Sequence, residues 1–230
     1  MTYIYVNQEI EYLREPVQAI IIRNMFGKAL VKRFVKHMRI MHASFTHAGV
    51  SKTDGSSTVD KSLRSNQVMY MTNVFPEINK SILGKHLIEA IQSNWIHQLV
   101  GSSFSPVFDL AMTNFSEMQV SRYGDSKEHY DWHQDRINNN NTRWLSLVYY
   151  FWKEPKQFTG GQLGLTDGLT VDGKLVNQKP KPKVYKLTPE NDMGIMFSSR
   201  TPHCVFPTSS PTPFIDGRFS VNMWIGYKQT

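Results

Sequence analysis

Two residues near the middle of the sequence, His133 and Asp135, have the types and the spacing of a chelating pair. They end a segment with strand character, where residues two apart point to the same face. An imidazole nitrogen and a carboxylate oxygen on one face can bind one metal ion. The pair alone is weak evidence, because a histidine two residues before an aspartate often arises by chance.

A second histidine would turn this pair into a recognisable metal site. Two histidines and one carboxylate on one side of a metal form the facial triad of non-haem Fe(II) oxygenases. His203 is the best candidate, because it precedes a short apolar stretch in the later part of the chain. His129 is a local competitor, since it too lies two residues before an aspartate, and spacing alone does not exclude it.

The segment 217–224 alternates strictly between polar and apolar residues. Its polar face carries Arg218, Ser220, Asn222 and Trp224. A buried arginine needs an anionic partner, and its planar guanidinium binds a carboxylate through two parallel hydrogen bonds. If no protein carboxylate pairs with Arg218, a dicarboxylate cosubstrate can fill that place.

The segment 143–152 alternates in the same way and adds hydrogen-bonding groups. Ser146 and Tyr150 share one of its faces, so both can hydrogen-bond the same anion. From this strand alone, an ordinary core position is the commoner use of such a tyrosine.

Short strands would carry these residues. Eight β-rich runs separated by turn residues follow residue 115, and so many short strands are typical of a sandwich or barrel. The predicted strands are 115–123, 128–135, 143–152, 161–165, 184–188, 193–198, 202–206 and 218–227.

The first half of the chain has a helical pattern. Apolar residues at helical spacing predict one long helix over 16–45, broken near Gly27, and a second helix over 78–99. Between them, the polar segment 46–67 predicts a mobile loop. We therefore expect one α+β domain over 1–230, with a helical N-terminal region at 1–114 and a catalytic β core at 115–230.

Composition and charge indicate the compartment and the kinds of partner to expect. The single cysteine, Cys204, excludes an internal disulfide, and no secretory signal pattern is evident, so we expect a cytoplasmic protein. No apolar run is long enough to span a membrane. The net charge of +7 is concentrated between Glu15 and Asp54, where seven cations and no acid occur. Such a segment can bind nucleic acid, although a solvated helix face is the commoner explanation.

Taken together, the motifs resemble the prolyl 4-hydroxylase-like group of 2-oxoglutarate- and Fe(II)-dependent oxygenases. Segment 119–124, followed by Tyr130 and the His133–Asp135 pair, is similar to that family's strand leading to its first two iron ligands. Segment 160–165 is similar to its Gly-Gly turn, and 192–203 to the segment that delivers the third ligand. The resemblance covers roughly residues 115 to 227.

The resemblance implies a double-stranded β-helix, a jelly-roll or cupin-like core of about eight strands with N-terminal helices packed on it. It implies that His133, Asp135 and His203 bind iron. It further implies a pocket in which Arg218 pairs with the distal carboxylate of 2-oxoglutarate and Tyr150 hydrogen-bonds it, lined also by Tyr123, Ser146, Ser220 and Trp224. One departure is the longer link from His203 to Arg218, where Pro207–Gly217 adds a loop.

The expected reaction hydroxylates an unactivated C–H bond of an amino acid, a peptidyl residue such as proline, or another small molecule. It would use O2 and release succinate and CO2, with ascorbate as a reductant. The residues expected to contact the substrate are Trp132, Arg136 and Tyr130.

Two other functions remain open. One is a nucleic-acid demethylase of the same chemistry, which the basic segment would suit; against it, the Arg218 strand lacks the second arginine that those enzymes show. The other is a non-enzymatic, cupin-like metal-binding module, because a jelly roll alone does not imply catalysis. The sequence does not indicate the oligomeric state.

Overall fold

Antiparallel strands make up most of the computed structural model, which describes residues 8–51, 57–75, 77, 80–104, 110–112, 118–124, 127–136, 143–210 and 213–227. The strands are β1 (Glu9–Leu13), β2 (Ala19–Arg23), β3 (Thr46–His47), β4 (Val50–Ser51), β5 (Ser57–Thr58), β6 (Gln67–Tyr70), β7 (Leu110–Met112), β8 (Gln119–Tyr123), β9 (Glu128–His133), β10 (Arg143–Phe151), β11 (Thr159–Gly160), β12 (Leu163–Thr166), β13 (Thr170–Val171), β14 (Lys174–Leu175), β15 (Val184–Leu187), β16 (Met193–Ser198), β17 (His203–Ser209) and β18 (Arg218–Tyr227). The helices are α1 (Lys28–Ile40), α2 (Met71–Val74), α3 (Ile82–Ile91) and α4 (Asn94–Ser103).

Two antiparallel sheets form the core of the fold. In the described part of the chain, the major sheet has the strand order β1-β2-β16-β10-β18-β8-β6-β3, with β7 also paired to β18. The minor sheet has the order β11-β17-β12-β15, with β9 also paired to β17. This is the double-stranded β-helix that the sequence predicts, and helices from the N-terminal half pack on it. No helix within the described ranges is long and apolar enough to cross a membrane.

The major sheet separates the larger hydrophobic cluster, which includes the helices, from the cavity that contains the candidate site; a second cluster lies on the cavity side. On β10, Tyr149 and Phe151 point to one side and pack against Phe34 of α1, with ring centroids 6.2 and 6.0 Å from that residue. Successive residues of a strand point to opposite faces, so Val148 and Tyr150 face the other way and line the cavity. The helices therefore support the sheet from the side away from the site.

The prediction of one helix over 16–45 was wrong in its first part. The residues from Ala19 to Ile22 are at most 2% exposed and form β2, which pairs with both β1 and β16. A run of β-branched residues suits a buried strand, and periodicity cannot tell such a short apolar run from a buried helix. The helix begins only at Lys28, after Gly27 with φ 83°. The expected break near Gly27 is thus the start of α1.

The remaining N-terminal predictions also needed revision. The second helix is two helices, α3 and α4, since Gln92 and Ser93 interrupt it. Of the segment expected to be a loop, β3 pairs with β6 and β4 pairs with β5, while residues 52–56 lie outside the described residues. Local patterns failed there because strands this short are defined by their partners. The predicted mobility of 46–67 and the single-domain assignment stay predictions.

A buried carboxylate fastens the start of α1 to the major sheet. Asp192 accepts hydrogen bonds from the backbone N–H groups of Phe26, at 2.9 Å, and Gly27, at 2.6 Å. The hydroxyl of Tyr149 donates to the same carboxylate at 2.9 Å. Burial raises the pKa of Asp192, and the hydrogen bonds from Gly27, Phe26 and Tyr149 oppose that rise. One side chain therefore joins α1, β10 and the turn before β16.

We expect Asp192→Ala to lower the free energy of unfolding by about 2–4 kcal/mol, because it leaves buried donors without acceptors. Tyr149→Phe should cost about 1 kcal/mol, since it removes one hydrogen bond. Urea denaturation would measure both. The control is Glu190→Ala, which removes an exposed ion pair with Arg23 and should cost no more than about 1 kcal/mol. Equal losses for Asp192→Ala and Glu190→Ala would contradict this account.

Candidate active site

A cavity of about 630 Å³ lies between the two sheets. Its walls come from the inner faces of β8, β10 and β18 on one side and from β9, β12 and β17 on the other. Three residues able to bind a metal stand in this wall: His133, Asp135 and His203. The residues expected to hold a carboxylate stand there too, so one cavity contains both predicted sets.

Pairing between β9 and β17 brings the two histidines together. His203 lies directly opposite His133 in the register of these strands, with ring centroids 4.1 Å apart. Asp135 follows the end of β9, and its carboxylate oxygens lie 3.9 Å from His133 Nε2 and 3.5 Å from His203 Nε2. One ligand atom from each residue lies within 4.8 Å of the other two. The arrangement offers two nitrogens and one oxygen to one ion, which is the donor set of a facial triad.

The backbone fixes which nitrogen of each histidine faces the cluster. Nδ1 of His133 lies 2.8 Å from the carbonyl oxygen of Asp131, and Nδ1 of His203 lies 2.9 Å from that of Thr201. A carbonyl can only accept, so each Nδ1 carries the proton and each Nε2 keeps a free lone pair. Burial, together with the neighbouring imidazole of His203, lowers the pKa of His133 to about 3. This imidazole is therefore neutral near pH 7, as a metal ligand must be.

Asp135 is held as a carboxylate. The hydroxyl of Ser146 donates a hydrogen bond to its Oδ2 at 2.6 Å. Burial alone would raise the pKa of Asp135, but the neighbouring imidazoles and two side-chain hydrogen bonds outweigh that effect, so its pKa is lowered. Ser146 therefore lies behind the metal cluster, where it orients a ligand, instead of in the pocket where the resemblance placed it.

The competing histidine lies elsewhere. The ring nitrogens of His129 lie 3.1 Å from the carbonyl oxygen of Ser62 and 3.0 Å from that of Lys127. Its ring does not belong to the metal-binding cluster found among the described residues. Between the two histidines that the sequence left open, the structure brings His203 to the pair.

An irregularity in β9 gives the site a feature that simple alternation does not predict. His203 pairs with His133 and Val205 with Tyr130, so β9 has one extra residue between these pairs. Such a β-bulge re-aims the side chains on either side of it. Tyr130 and His133 consequently face the same way, and their rings stack with centroids 3.5 Å apart.

The other end of the cavity contains a buried arginine and other donors that could bind an anion. Arg218 is 1% exposed, and no carboxylate among the described residues forms an ion pair with it. Its guanidinium carbon lies 4.8 Å from the ring of Tyr123 and 4.7 Å from that of Tyr150. Within the described ranges, the buried side-chain atoms without a hydrogen-bond partner include Arg218 Nε and Nη1, Tyr150 Oη and Thr208 Oγ1. Unpaired buried donors are costly, and a bound carboxylate would satisfy them.

The Gly160–Gly161 turn packs closely against Arg218. Gly161 has φ 74°, a conformation that other residues adopt only with strain. A Cβ atom there would lie 2.8 Å from Thr208 Oγ1 and 2.9 Å from Arg218 Cδ. Only a glycine lets the turn come this close to the arginine.

The remaining predicted residues fall into two groups. Tyr123, Ser220, Trp224, Tyr130 and Trp132 all line the cavity. Arg136 does not: its guanidinium donates to the backbone oxygen of Arg143 at 3.3 Å. Arg143 lines the cavity instead, with its guanidinium carbon 3.8 Å from the ring of Trp224.

Three residues of the site were not predicted from the sequence. Arg143 starts a strand that was identified, but alternation puts it on the face opposite Ser146, and it lines the cavity only because the register of β10 and β18 shifts between Arg143 and Leu145. Thr208 was assigned to a loop, because Pro207 suggested that the strand had ended. Arg64 lines the cavity from a segment with no helix or strand pattern, so secondary-structure patterns did not single it out.

Comparison with known proteins agrees with this geometry. Residues 118–226 match the model of the 2OG-Fe(II) oxygenase superfamily, which is just under half of the chain. An uncharacterized PKHD-type hydroxylase of Synechocystis is 35% identical over 134 residues. That alignment spans 57% of this chain and 42% of the relative, so well under two thirds of the relative's length is matched.

Solved structures share the fold. A prolyl hydroxylase from Trichoplax adhaerens, in complex with a peptide fragment of the hypoxia inducible factor oxygen degradation domain, has a TM-score of 0.61 and 20% identity, covering 90% of this chain and 83% of that one. A prolyl-4-hydroxylase from Pseudomonas putida has a TM-score of 0.58 and 17% identity, covering 93% and 95%. The non-heme alpha ketoglutarate dependent epimerase SnoN, from nogalamycin biosynthesis, has a TM-score of 0.56 and 10% identity, covering 91% of this chain and 76% of that one.

We expect Gly161→Ala to weaken 2-oxoglutarate binding by at least about tenfold, because the new methyl group displaces Arg218 or Thr208 and strains the turn. Calorimetry with the metal-loaded protein would measure it. The matched control is Gly101→Ala, since a Cβ at Gly101 in α4 meets nothing within 4 Å. If both variants bound 2-oxoglutarate as well as the wild type does, the close approach of the turn would have no role in the site.

Proposed function

We propose that this chain is a member of the 2OG-Fe(II) oxygenase superfamily, whose model matches residues 118–226, and that it is a hydroxylase acting on an unactivated C–H bond of an amino acid, a peptidyl residue or another small molecule. One observation carries the proposal: a single cavity joins a cluster of two histidines and a carboxylate to a buried arginine that no described carboxylate neutralises. The first group suits the iron, and the second suits the cosubstrate.

In this proposal, His133 and His203 hold Fe(II) through their Nε2 atoms, and Asp135 holds it through its carboxylate. When bound, Fe(II), 2-oxoglutarate and O2 supply the oxidising power, with release of succinate and CO2 and hydroxylation of the substrate. The protein supplies orientation. The carbonyl oxygens of Asp131 and Thr201 keep both imidazoles in the ligating tautomer, and Ser146 fixes the carboxylate.

Arg218 and Tyr150 would bind the distal carboxylate of 2-oxoglutarate. Burial raises the pKa of Tyr150 to about 12, so its hydroxyl is protonated and can donate. The unpartnered atoms of Arg218 and Thr208 supply further donors at this end. Tyr123 and Ser220 would complete the pocket, and their burial excludes water from the anion. Trp224, which was also expected there, lies opposite Ser146 at the end of the cavity that contains Asp135.

The substrate would enter on the other side of the metal cluster. A cavity of about 630 Å³ has the size of a site for a drug-sized ligand, so it has room for the cosubstrate and a substrate side chain. Trp132 and Arg143 line that region. The Trichoplax structure contains a peptide, which favours a peptidyl or amino-acid substrate here. The cytoplasmic location and the use of ascorbate stay predictions.

The nucleic-acid demethylase is not favoured. The exposed cations of α1 were its main support, and they are Lys28, Lys32, Arg33, Lys36 and Arg39. This helix packs on the Tyr149 side of β10, whereas the cavity lies on the Tyr150 side. A nucleic acid bound along α1 would therefore be separated from the cavity by the major sheet. The non-enzymatic module is also less favoured, because it leaves the buried charge of Arg218 unexplained.

The purified protein should release succinate from 2-oxoglutarate when given Fe(II) and O2. Arg218→Met should raise the KM for 2-oxoglutarate by at least about 30-fold, as expected when one partner of a buried charge pair is removed. Arg39→Met, an exposed arginine on α1, is the matched control and should change nothing. Succinate release that is the same in both variants would overturn the assignment of Arg218.

Three additions to the same assay would distinguish the possible classes of substrate. Free amino acids, prolyl peptides and a methylated oligonucleotide would each be supplied, and succinate release above the substrate-free level would be measured. We expect a peptide or amino acid to stimulate release and to gain one oxygen atom by mass spectrometry. Stimulation by the oligonucleotide alone, with formaldehyde as product, would replace our proposal by the demethylase.

A further inference from the structure

The ring of Tyr130 lies between a candidate iron ligand and a buried arginine. The imidazole of His133 stacks on it, with ring centroids 3.5 Å apart and planes at 17°. The guanidinium carbon of Arg64 lies 4.5 Å from the same ring centroid. Two groups this close to the centroid cannot share one face of the ring, so they cover opposite faces. The result is a three-layer stack of Arg64, Tyr130 and His133.

Arg64 is fixed at the far end of this stack. Its Nε donates to Oδ1 of Asn66 at 2.8 Å, and its Nη2 donates to Oε1 of Gln119 at 2.7 Å. Nη1 donates to the carbonyl oxygen of Gly49 at 3.3 Å. The side chain is buried, at 7% exposure, and the acceptors are neutral. The negative face of an aromatic ring stabilises a guanidinium in such surroundings, so Arg64 and the ring of Tyr130 hold each other in place.

The stack restricts the orientation of the imidazole ring of His133. The hydrogen bond from its Nδ1 to the carbonyl oxygen of Asp131 restricts one edge of the imidazole. Contact with the flat ring of Tyr130 restricts its plane. These two contacts together determine the direction in which Nε2 points, and that direction decides how well the nitrogen meets a metal ion.

Backbone pairing puts the three layers in register. Arg64 forms an isolated antiparallel bridge with Tyr130, and the extra residue in β9 turns Tyr130 to the side of His133. Without that bulge, the tyrosine would point away from the histidine, as alternation predicts.

We propose that Arg64 and Tyr130 are positioning residues of the metal site: Arg64 clamps the ring of Tyr130 against His133 and thereby strengthens metal binding. The proposal rests on the proposed function, since it requires His133 to be a metal ligand. It also changes the role of Tyr130, which the sequence analysis expected to contact the substrate. Both faces of its ring are occupied, so only its edge and hydroxyl remain for that contact.

Binding of Mn(II) alone to the metal-free protein, followed by calorimetry, tests the proposal without turnover. Tyr130→Leu removes the ring, and Arg64→Met removes the clamp. Each should weaken Mn(II) binding by about 10- to 100-fold, the usual effect of losing a partner that orients a ligand. Tyr130→Phe keeps the ring and should remain within about threefold of the wild type.

Arg122→Met is the matched control for loss of a buried arginine. Arg122 is 3% exposed and lies 3.9 Å from Glu128, on the strand that also carries Gln119. The Arg122→Met variant should have a lower melting temperature than the wild type and an unchanged affinity for Mn(II). A second readout is the visible band of the anaerobic Fe(II) and 2-oxoglutarate complex, which should shift in Tyr130→Leu and Arg64→Met only.

The outcomes separate this inference from the proposed function. If Tyr130→Leu and Arg64→Met bound Mn(II) like the wild type, or if Arg122→Met lost as much affinity as they did, the positioning role would be wrong. If Tyr130→Phe lost as much as Tyr130→Leu, the hydroxyl and not the stacked ring would be responsible, which would also overturn it. If the wild type bound no Mn(II), or if His133→Ala bound it equally well, the proposed function would fail and this inference with it.

Discussion

The burial of Arg218, with no ion-paired carboxylate among the residues that the structure describes, is the feature on which the rest of the site depends. A guanidinium at 1% exposure is costly unless an anion neutralises it. The surrounding residues keep that place available: two tyrosine rings flank the charge, and the Gly160–Gly161 turn approaches too closely for any side chain. The structure thus keeps a buried charge that a ligand carboxylate could neutralise, which is why we propose that this end of the cavity binds the cosubstrate.

The metal end depends on a different constraint, the pairing of β9 with β17. That pairing places His203 opposite His133, although seventy residues separate them in the sequence. The bulge in β9 then adds Tyr130 to the same side, and Arg64 reaches it from the N-terminal half. The first part of the chain is therefore more than a support for the sheet, because it contributes Arg64, which contacts the ring stacked on His133.

The β core could be predicted from the sequence because its strands alternate and its turns contain glycine and proline. The polar face of β18 was evident for the same reason. Elements that depend on partners could not be predicted in this way. The run from Ala19 to Ile22 is a strand only because β1 and β16 lie beside it. Arg143 was passed over in favour of Arg136, because nothing local shows which arginine faces the cavity.

The residues of the site likewise include some that the sequence could predict and some that depend on the fold. Residue types and spacing were enough for the His133–Asp135 pair and for Arg218, whereas the choice between His129 and His203 needed either the family resemblance or the strand register. Thr208 and Arg64 depend wholly on tertiary contacts. Sequence patterns thus revealed the chemistry of the site, and the fold was needed to show which residues orient it.

The most direct test of the account is an anaerobic titration of the metal-free protein with Fe(II) and 2-oxoglutarate, in which the visible charge-transfer band of the chelate is followed. We expect the band in the wild type and in His129→Ala, and its loss in His203→Ala and Asp135→Ala, because only the latter two remove ligands of the same ion. A band that persisted in His203→Ala but disappeared in His129→Ala, or no band in a well-folded wild type, would contradict the account.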